Sequence, residues 1–170
     1  YNVAQGQVSV EGLGLNSPDT EQVDILARSI AVNGSLWAKN ATLITGQNKI
    51  SHQRDATDNL SIRTLTQDEI AKTTTDRAKP TFALDVSAIG GMYANRIKLI
   101  GTEAGLGVNF NGNVTAVENM VLQADGNISN NATLKTNTAT ITNYSNPSLV
   151  ELDNKGNIAA QKDLSIDVHT

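Results

Sequence analysis

The stretch Gly90-Gly91-Met92-Tyr93-Ala94-Asn95-Arg96-Ile97-Lys98-Leu99-Ile100-Gly101-Thr102-Glu103-Ala104-Gly105-Leu106-Gly107-Val108 combines a double glycine, a short alternating run and a second glycine-punctuated turn. Successive side chains of a strand point to opposite sides, so Ile97 and Leu99 alternating with Arg96 and Lys98 read as a strand with one buried face. Framed by glycines, that strand is a rung between two tight corners. The segment contains no nucleophile or ligand cluster. Its Gly101-x-x-x-Gly105-x-Gly107 spacing lacks the lysine and the following helix of a phosphate-binding loop.

Working outward, the C-terminal half repeats this unit. Apolar pairs stand at Val114/Ala116, Ala132/Leu134 and Val150/Leu152, each 18 residues after the last. A second set stands at Met120/Leu122, Ala139/Ile141 and Ile158/Ala160, at a constant interval one position longer. Whole strand sets recurring at a fixed interval near 20 indicate stacked repeats. Gly112-Asn113, Gly126-Asn127 and Gly156-Asn157 each precede an apolar strand start, and Gly and Asn tolerate the positive φ of sharp corners. A coil of that length with short strands and no helix is the unit of a parallel β-helix. Leucine-rich repeats need a consensus that is absent here, and an antiparallel sandwich is the main rival.

Composition agrees. Asn (19) and Thr (18) together supply over a fifth of the 170 residues, a bias toward turns and strands over helix interiors. The net charge of −4 and 18% charged content give no pull toward nucleic acid or anionic membrane. The absence of cysteine excludes disulfides, thiolate metal sites and a thiol nucleophile. No apolar run approaches the roughly 20 residues of a membrane helix. The opening Tyr1-Asn2-Val3 starts mid-pattern, as in an excised piece.

The N-terminal half is less regular. Val8/Val10, Ile25-Leu26, Ile30/Val32, Leu36/Ala38 and Leu43-Ile44 mark strands, with turns at Ser17-Pro18-Asp19, Asn33-Gly34 and Gly46-Gln47-Asn48. The pattern breaks over residues 51–80, a polar excursion with structure of its own. Leu60-Ser61-Ile62-Arg63-Thr64 alternates like a hairpin strand, and Thr66-Gln67-Asp68-Glu69 matches a capping box able to open a short helix. A hairpin or mobile loop is the expectation ahead of a stable helix. Trp37, opposite in phase to Leu36, is expected to lie covered beneath this excursion, with a receptor contact as the other reading; Tyr93 carries the same two readings.

Four segments resemble the secretion domain of two-partner-secretion exoproteins, the family of filamentous haemagglutinins, their associated haemolysins and contact-dependent growth-inhibition exoproteins. They are Gly6-Gln7-Val8-Ser9-Val10-Glu11-Gly12-Leu13-Gly14-Leu15, Asp24-Ile25-Leu26-Ala27-Arg28-Ser29-Ile30, Ala38-Lys39-Asn40-Ala41-Thr42-Leu43-Ile44-Thr45-Gly46, and Asp85 through Gly107. The family's Asn-Pro-Asn-Gly-type motif has no counterpart, and Asn146-Pro147-Ser148 does not match it. The resemblance implies a right-handed parallel β-helix exported through a dedicated outer-membrane transporter to the cell surface or the medium. It implies that residues 1–110 are the C-terminal part of a secretion domain and 111–170 the first shaft repeats, continuous with it.

Right-handed β-helices also include pectin-active enzymes, which work with paired carboxylates. Asp24, Asp85, Glu103 and Glu118 are the acidic candidates, with Arg28 and Arg96 as electrostatic partners. With Trp37 the single tryptophan and Tyr1, Tyr93 and Tyr144 scattered, sugar-stacking platforms are nearly absent. These charges read as solvated turn residues, and a carbohydrate-active enzyme is the rival function. His52 and His169 lie in no ligand-spaced motif, Gly90-Gly91-Met92-Tyr93 fails the calcium nonapeptide, and no serine has a nucleophile-elbow setting. No residue is therefore assigned to catalysis, to a cofactor or to a metal.

Asn-x-Ser/Thr triplets at Asn33, Asn40, Asn59, Asn113, Asn127, Asn131 and Asn143 have two readings. Some exoproteins of the resembled family carry glycans at such sites; structurally, asparagine at β-helix corners can bond from coil to coil. The whole chain is predicted to form about seven coils, a rod on the order of 35 Å long. Its interior ladders should include Ile97, Leu99, Val114, Met120, Leu122, Leu134, Ile141, Val150, Ile158, Leu164 and Ile166. Bare strand edges at both ends should favour end-to-end association. The expected function is non-enzymatic: part of a secreted adhesin- or haemagglutinin-type surface protein, or the stalk of a growth-inhibition toxin, with an unknown receptor and no nucleic acid partner.

Overall fold

A computed structural model describes residues 1–54, 60–73, 78–143 and 151–168. After a short strand β1 (Asn2–Val3), the chain winds through six coils. Coil 1 holds β2 (Gln7–Val10), β3 (Leu15–Ser17) and β4 (Val23–Ala27); coil 2 holds β5 (Ser29–Val32), β6 (Ser35–Ala38) and β7 (Asn40–Thr45). An excursion follows, with β8 (Asn48–Arg54), β9 (Leu60–Thr64) and α1 (Gln67–Thr73). Coil 3 resumes with β10 (Phe82–Val86) and β11 (Gly91–Gly101), and coil 4 with β12 (Gly107–Phe110) and β13 (Asn113–Ala124). Coil 5 has β14 (Ile128–Asn130) and β15 (Thr133–Asn143), and coil 6 has β16 (Leu152–Asn154) and β17 (Asn157–Val168).

Among the described residues all pairing between coils is parallel, which makes the body a parallel β-helix and removes the sandwich rival. One face is the six-stranded sheet β16-β14-β12-β10-β5-β2. The other two faces are the two arms of an eight-stranded sheet, in which β11, β13, β15 and β17 each cross the bend between arms. The bend shows as a register shift after Ala94 in the β11–β13 pair. Lining up the registers yields continuous interior ladders. Ile97, Met120, Ala139 and Leu164 form one, and Leu43, Leu99, Leu122, Ile141 and Ile166 another. Aliphatic groups stacked this way fill a single core running from Val10 to Ile141.

The coil is longer than the apparent repeat. Met120 pairs with Ala139 and Leu122 with Ile141, as the sequence spacing indicates. Val114, however, pairs with Leu134 and not with Ala132, and Leu134 pairs with Ile158 and not with Leu152. Ile158 thus belongs to the other arm's ladder, and Ile141 continues to Ile166. Ala132 is not a strand residue; it stands at a corner. With these longer coils and the excursion beginning at Asn48, six coils form in place of the expected seven, a rod of about 29 Å.

Of the expected interior residues, Ile97, Leu99, Val114, Met120, Leu122, Leu134 and Ile141 are fully buried. Ile158 is half-buried, and Val150 lies outside the described residues. Leu164 and Ile166 are 46% and 45% exposed because β17 is the last described rung, and among the described residues no coil lies over it. They occupy ladder positions without a lid.

The excursion is both hairpin and helix. β8 pairs antiparallel with β9 and with β1, giving a small three-stranded sheet. Its apolar side, Ile50 with Val3, Leu60 and Ile62, packs on the outward-facing Leu26, Ile44 and Ile100 of the β4–β7–β11 arm. The capping box forms as the sequence suggests: the Glu69 N–H donates to Thr66 Oγ1 (3.3 Å), and the Thr66 N–H donates to Glu69 Oε2 (2.9 Å). Arg63 of β9 grips Glu69 with two further bonds of 2.9 and 2.8 Å, which anchors the helix at the place expected to be a loop. This Arg63 grip, with the Thr66 N–H, lowers the Glu69 carboxyl from 4.5 to about 2. A carboxyl whose folded value is depressed stabilises above its unfolded value and loses that contribution as pH falls through the folded one. The NMR signals of Gln67–Thr73 should therefore hold from pH 7 to about 4.5 and melt between there and about 2. In Glu69→Gln they should be weakened throughout, with no step in that window.

Candidate functional site

The residues with chemical potential are distributed over the three faces. Asp24 is in β4, accepting a 2.8 Å bond from Gln22, whereas Asp85 is in β10 on the six-stranded sheet, bonded by Asn109 at 2.7 Å. Glu118 sits at the bend of coil 4, 4.0 Å from Arg96, and Arg96 donates to Asn40 Oδ1 at 3.0 Å. Among the described residues no three His, Cys, Asp or Glu side chains converge. The candidates that the fold unites most closely are Glu103 and Arg28, which lie 75 positions apart in the sequence. His52 belongs to β8, and His169 falls outside the described residues.

Arg28 occupies the turn between β4 and β5, and its side chain is only 7% exposed. Its Nε and Nη2 donate to Glu103 Oε2 and Oε1 at 3.0 and 2.8 Å, a two-pronged charge-assisted contact. Its Nη1 donates to the Ala78 carbonyl at 2.8 Å, where the excursion returns to the helix. Lys79 reaches the Ala104 carbonyl at 2.8 Å. On the exit side, Thr102 Oγ1 lies 2.6 Å from Asn48 Oδ1, and Asn48, wholly buried, donates to the Thr45 carbonyl at 3.0 Å. Both feet of the excursion thus meet the corner at residues 102–104. With its carboxylate engaged by a permanently charged guanidinium, Glu103 is arranged to hold structure together.

Trp37 departs from its sequence expectation. The excursion covers a different arm, and Trp37 stays 45% exposed on the β3–β6–β11 arm. Its indole stacks on Tyr93 of the next coil, with centroids 4.4 Å apart and planes 19° off parallel. Gly91 allows this: a Cβ there would press on the Tyr93 ring at 3.2 Å. The signal for the correct arm is present in the doublets Ile25-Leu26, Leu43-Ile44 and Leu99-Ile100, where both phases of a strand are apolar and both sides are covered.

The asparagines act between coils. Buried Asn130 donates to Asn154 Oδ1 (2.7 Å), and Asn131 donates to Asn111 Oδ1 (2.9 Å). Asn113 and Asn127 accept main-chain N–H groups of Thr133 and Glu151 from the next coil, at 3.0 and 3.1 Å. Asn33 donates to Glu11, Asn40 to the Glu21 carbonyl, and buried Asn143 to the Gly126 carbonyl. Asn59 lies outside the described residues. At the N-terminal end of the stack an open cavity of about 780 Å³ is lined by Tyr1, Val8, Val10, Leu15, Ile25 and Leu26 among others.

A stack of parallel coils with an outlying hairpin clamped to one corner defines a parallel β-helical domain with one extra-helical excursion. The TPS secretion domain, the domain of two-partner secretion, matches residues 1–131, and the chain belongs to that family. It is 37% identical over 133 residues to a Yersinia pestis protein named toxin CdiA, covering 76% of this chain and 4% of that protein. It is likewise 37% identical over 129 residues to a Burkholderia pseudomallei protein named tRNA nuclease CdiA-2, covering 75% of this chain and 4% of that one. The chain therefore spans about one twenty-fifth of the length of these curated relatives. The crystal structure of a filamentous hemagglutinin secretion domain shares the fold, with a TM-score of 0.69 at 21% identity over 98% of this chain and 53% of that one. Members of the family are exported across the outer membrane, so the chain is part of a secreted exoprotein.

The Trp37–Tyr93 stack sits on the surface, so Trp37→Ala should cost about 0.5–1.5 kcal/mol, the worth of an aromatic pair. Acrylamide should quench the native fluorescence of this single tryptophan. A loss of about 3–5 kcal/mol, as for a core aromatic, would show that Trp37 is covered.

Proposed function

We propose that this chain serves export and shaft-building rather than catalysis. Residues 1–110 would be the later part of a secretion domain and 111–170 the first shaft coils, joined without a break. The family match covers the first part and runs on to residue 131, and the continuous parallel pairing from β11 to β17 supports continuity. Each coil offers the next a preformed edge, so folding outside the cell can proceed rung by rung and draw the chain outward. The partner in this reading is an outer-membrane transporter of the two-partner type. Among the described residues no helix is long and apolar enough to cross a membrane.

The relatives named as CdiA toxins favour the stalk of a growth-inhibition toxin over an adhesin or haemagglutinin as the whole protein. End-to-end association of isolated chains belongs to the same reading. It is supported by exposed Leu164 and Ile166 at one end and the open cavity at the other. The separate placement of Asp24, Asp85 and Glu118 disfavours a carbohydrate-active enzyme, as does the engagement of Glu103 by Arg28.

The observation that carries the proposal is the secretion-domain match over residues 1–131. Its test is co-expression of the parent exoprotein with and without an outer-membrane transporter of the two-partner type. The exoprotein should reach the medium or cell surface only when the transporter is present. Surface delivery without the transporter, or turnover of polygalacturonate by the purified chain with calcium, would contradict it.

A further inference from the structure

We propose that the Thr102–Ala104 corner is a clasp that makes the first three coils and the excursion one cooperative folding unit. The front of the helix then closes only once residue 103 is in place. The coils behind it are joined differently. From β12 onward the side-chain links run between adjacent coils, as in Asn130–Asn154, Asn131–Asn111 and Asn113–Thr133, with separations of 20–24 residues. At the front, Arg28 binds Ala78 and Glu103, 50 and 75 residues on, and Thr102 binds Asn48, 54 residues back.

The charge of Arg28 makes this link binding. A guanidinium keeps its charge at any working pH, and burying it without its carboxylate is strongly unfavourable. The buried form of the turn between β4 and β5 is therefore strongly disfavoured until the two-pronged Glu103 contact is made. Lys79 and Asn48 bring the two feet of the excursion to the same corner, so the hairpin docks in the same event. Whichever end of the chain emerges first, Arg28 and Glu103 must both be outside before this unit seals. Later coils need only their nearest neighbour.

The test is native-state hydrogen exchange on the full chain, comparing wild type, Glu103→Gln and Arg28→Leu/Glu103→Leu. In wild type, the amides of β4–β9 and β11 should open together in one event. In Glu103→Gln, β4, β5, β8 and β9 should exchange about tenfold faster or more, with β13 and β15 unchanged. The double variant removes both charges of the Arg28–Glu103 pair and decides the matter even if the single variant does not fold. It should open the hairpin and coils 1–2 as separate events. A single opening at the wild-type rate in the double variant would overturn the proposal.

Discussion

At one corner the coils, stacked at about 4.8 Å, approach so closely that an added side chain would meet a neighbouring carbonyl, and the structure depends on keeping that corner clear. Gly91 pairs with Ser35 and with Asn113, so Gly34, Gly90 and Gly112 stack just before them; Ala132 and Gly156 continue the column. A Cβ at Gly90 would fall on the Val32 carbonyl, one at Gly112 on the Gly90 carbonyl, and one at Gly156 on the Ala132 carbonyl. None of these three glycines has a positive φ, so the demand is for closeness and not for left-handed backbone. Ala132 carries a methyl in this column, so the close approach operates at the Gly90, Gly112 and Gly156 levels. With the corner empty, the main-chain ladders run on, and the aliphatic ladders come into contact inside.

From that corner the rest follows by level. Closed ladders bury the core from Val10 to Ile141 and turn Asn, Thr and Asp outward or into corner bonds. Each coil satisfies the main chain of the next, so the interior is held by its own ladders. The excursion interrupts the winding, and the Arg28–Glu103 contact reconciles it with the stack.

Strand positions and the inward phase are legible in the sequence because alternation is local. Leu164 and Ile166 have the inward phase, yet burial depends on a covering rung that this stack does not supply. The repeat length misleads because Ile158 continues an alternating pattern equally well in either arm's ladder; only the pairing with Leu134 distinguishes them. The position of Trp37 is not legible from alternation alone, which tells outward from inward but not which of three faces a hairpin returns to; only the doublets apolar in both phases mark that face. That choice rests on Ile44 and Ile100, distant in sequence and adjacent in register. The Arg28–Glu103 pair is visible in the sequence only as two charges, since no spacing rule links residues across an excursion.

Unfolding of Gly90→Ala and Gly112→Ala beside Gly101→Ala tests the empty corner most directly. Gly101 is the last residue of β11, where an added Cβ would make only ordinary contacts, with Thr45 Oγ1 at 3.4 Å, Ala83 Cβ at 3.6 Å and Ala124 Cα at 3.8 Å. The account predicts that the two corner variants lose about 1–3 kcal/mol or more, and that Gly101→Ala stays within about 0.5 kcal/mol of wild type. Corner variants as stable as wild type would contradict it.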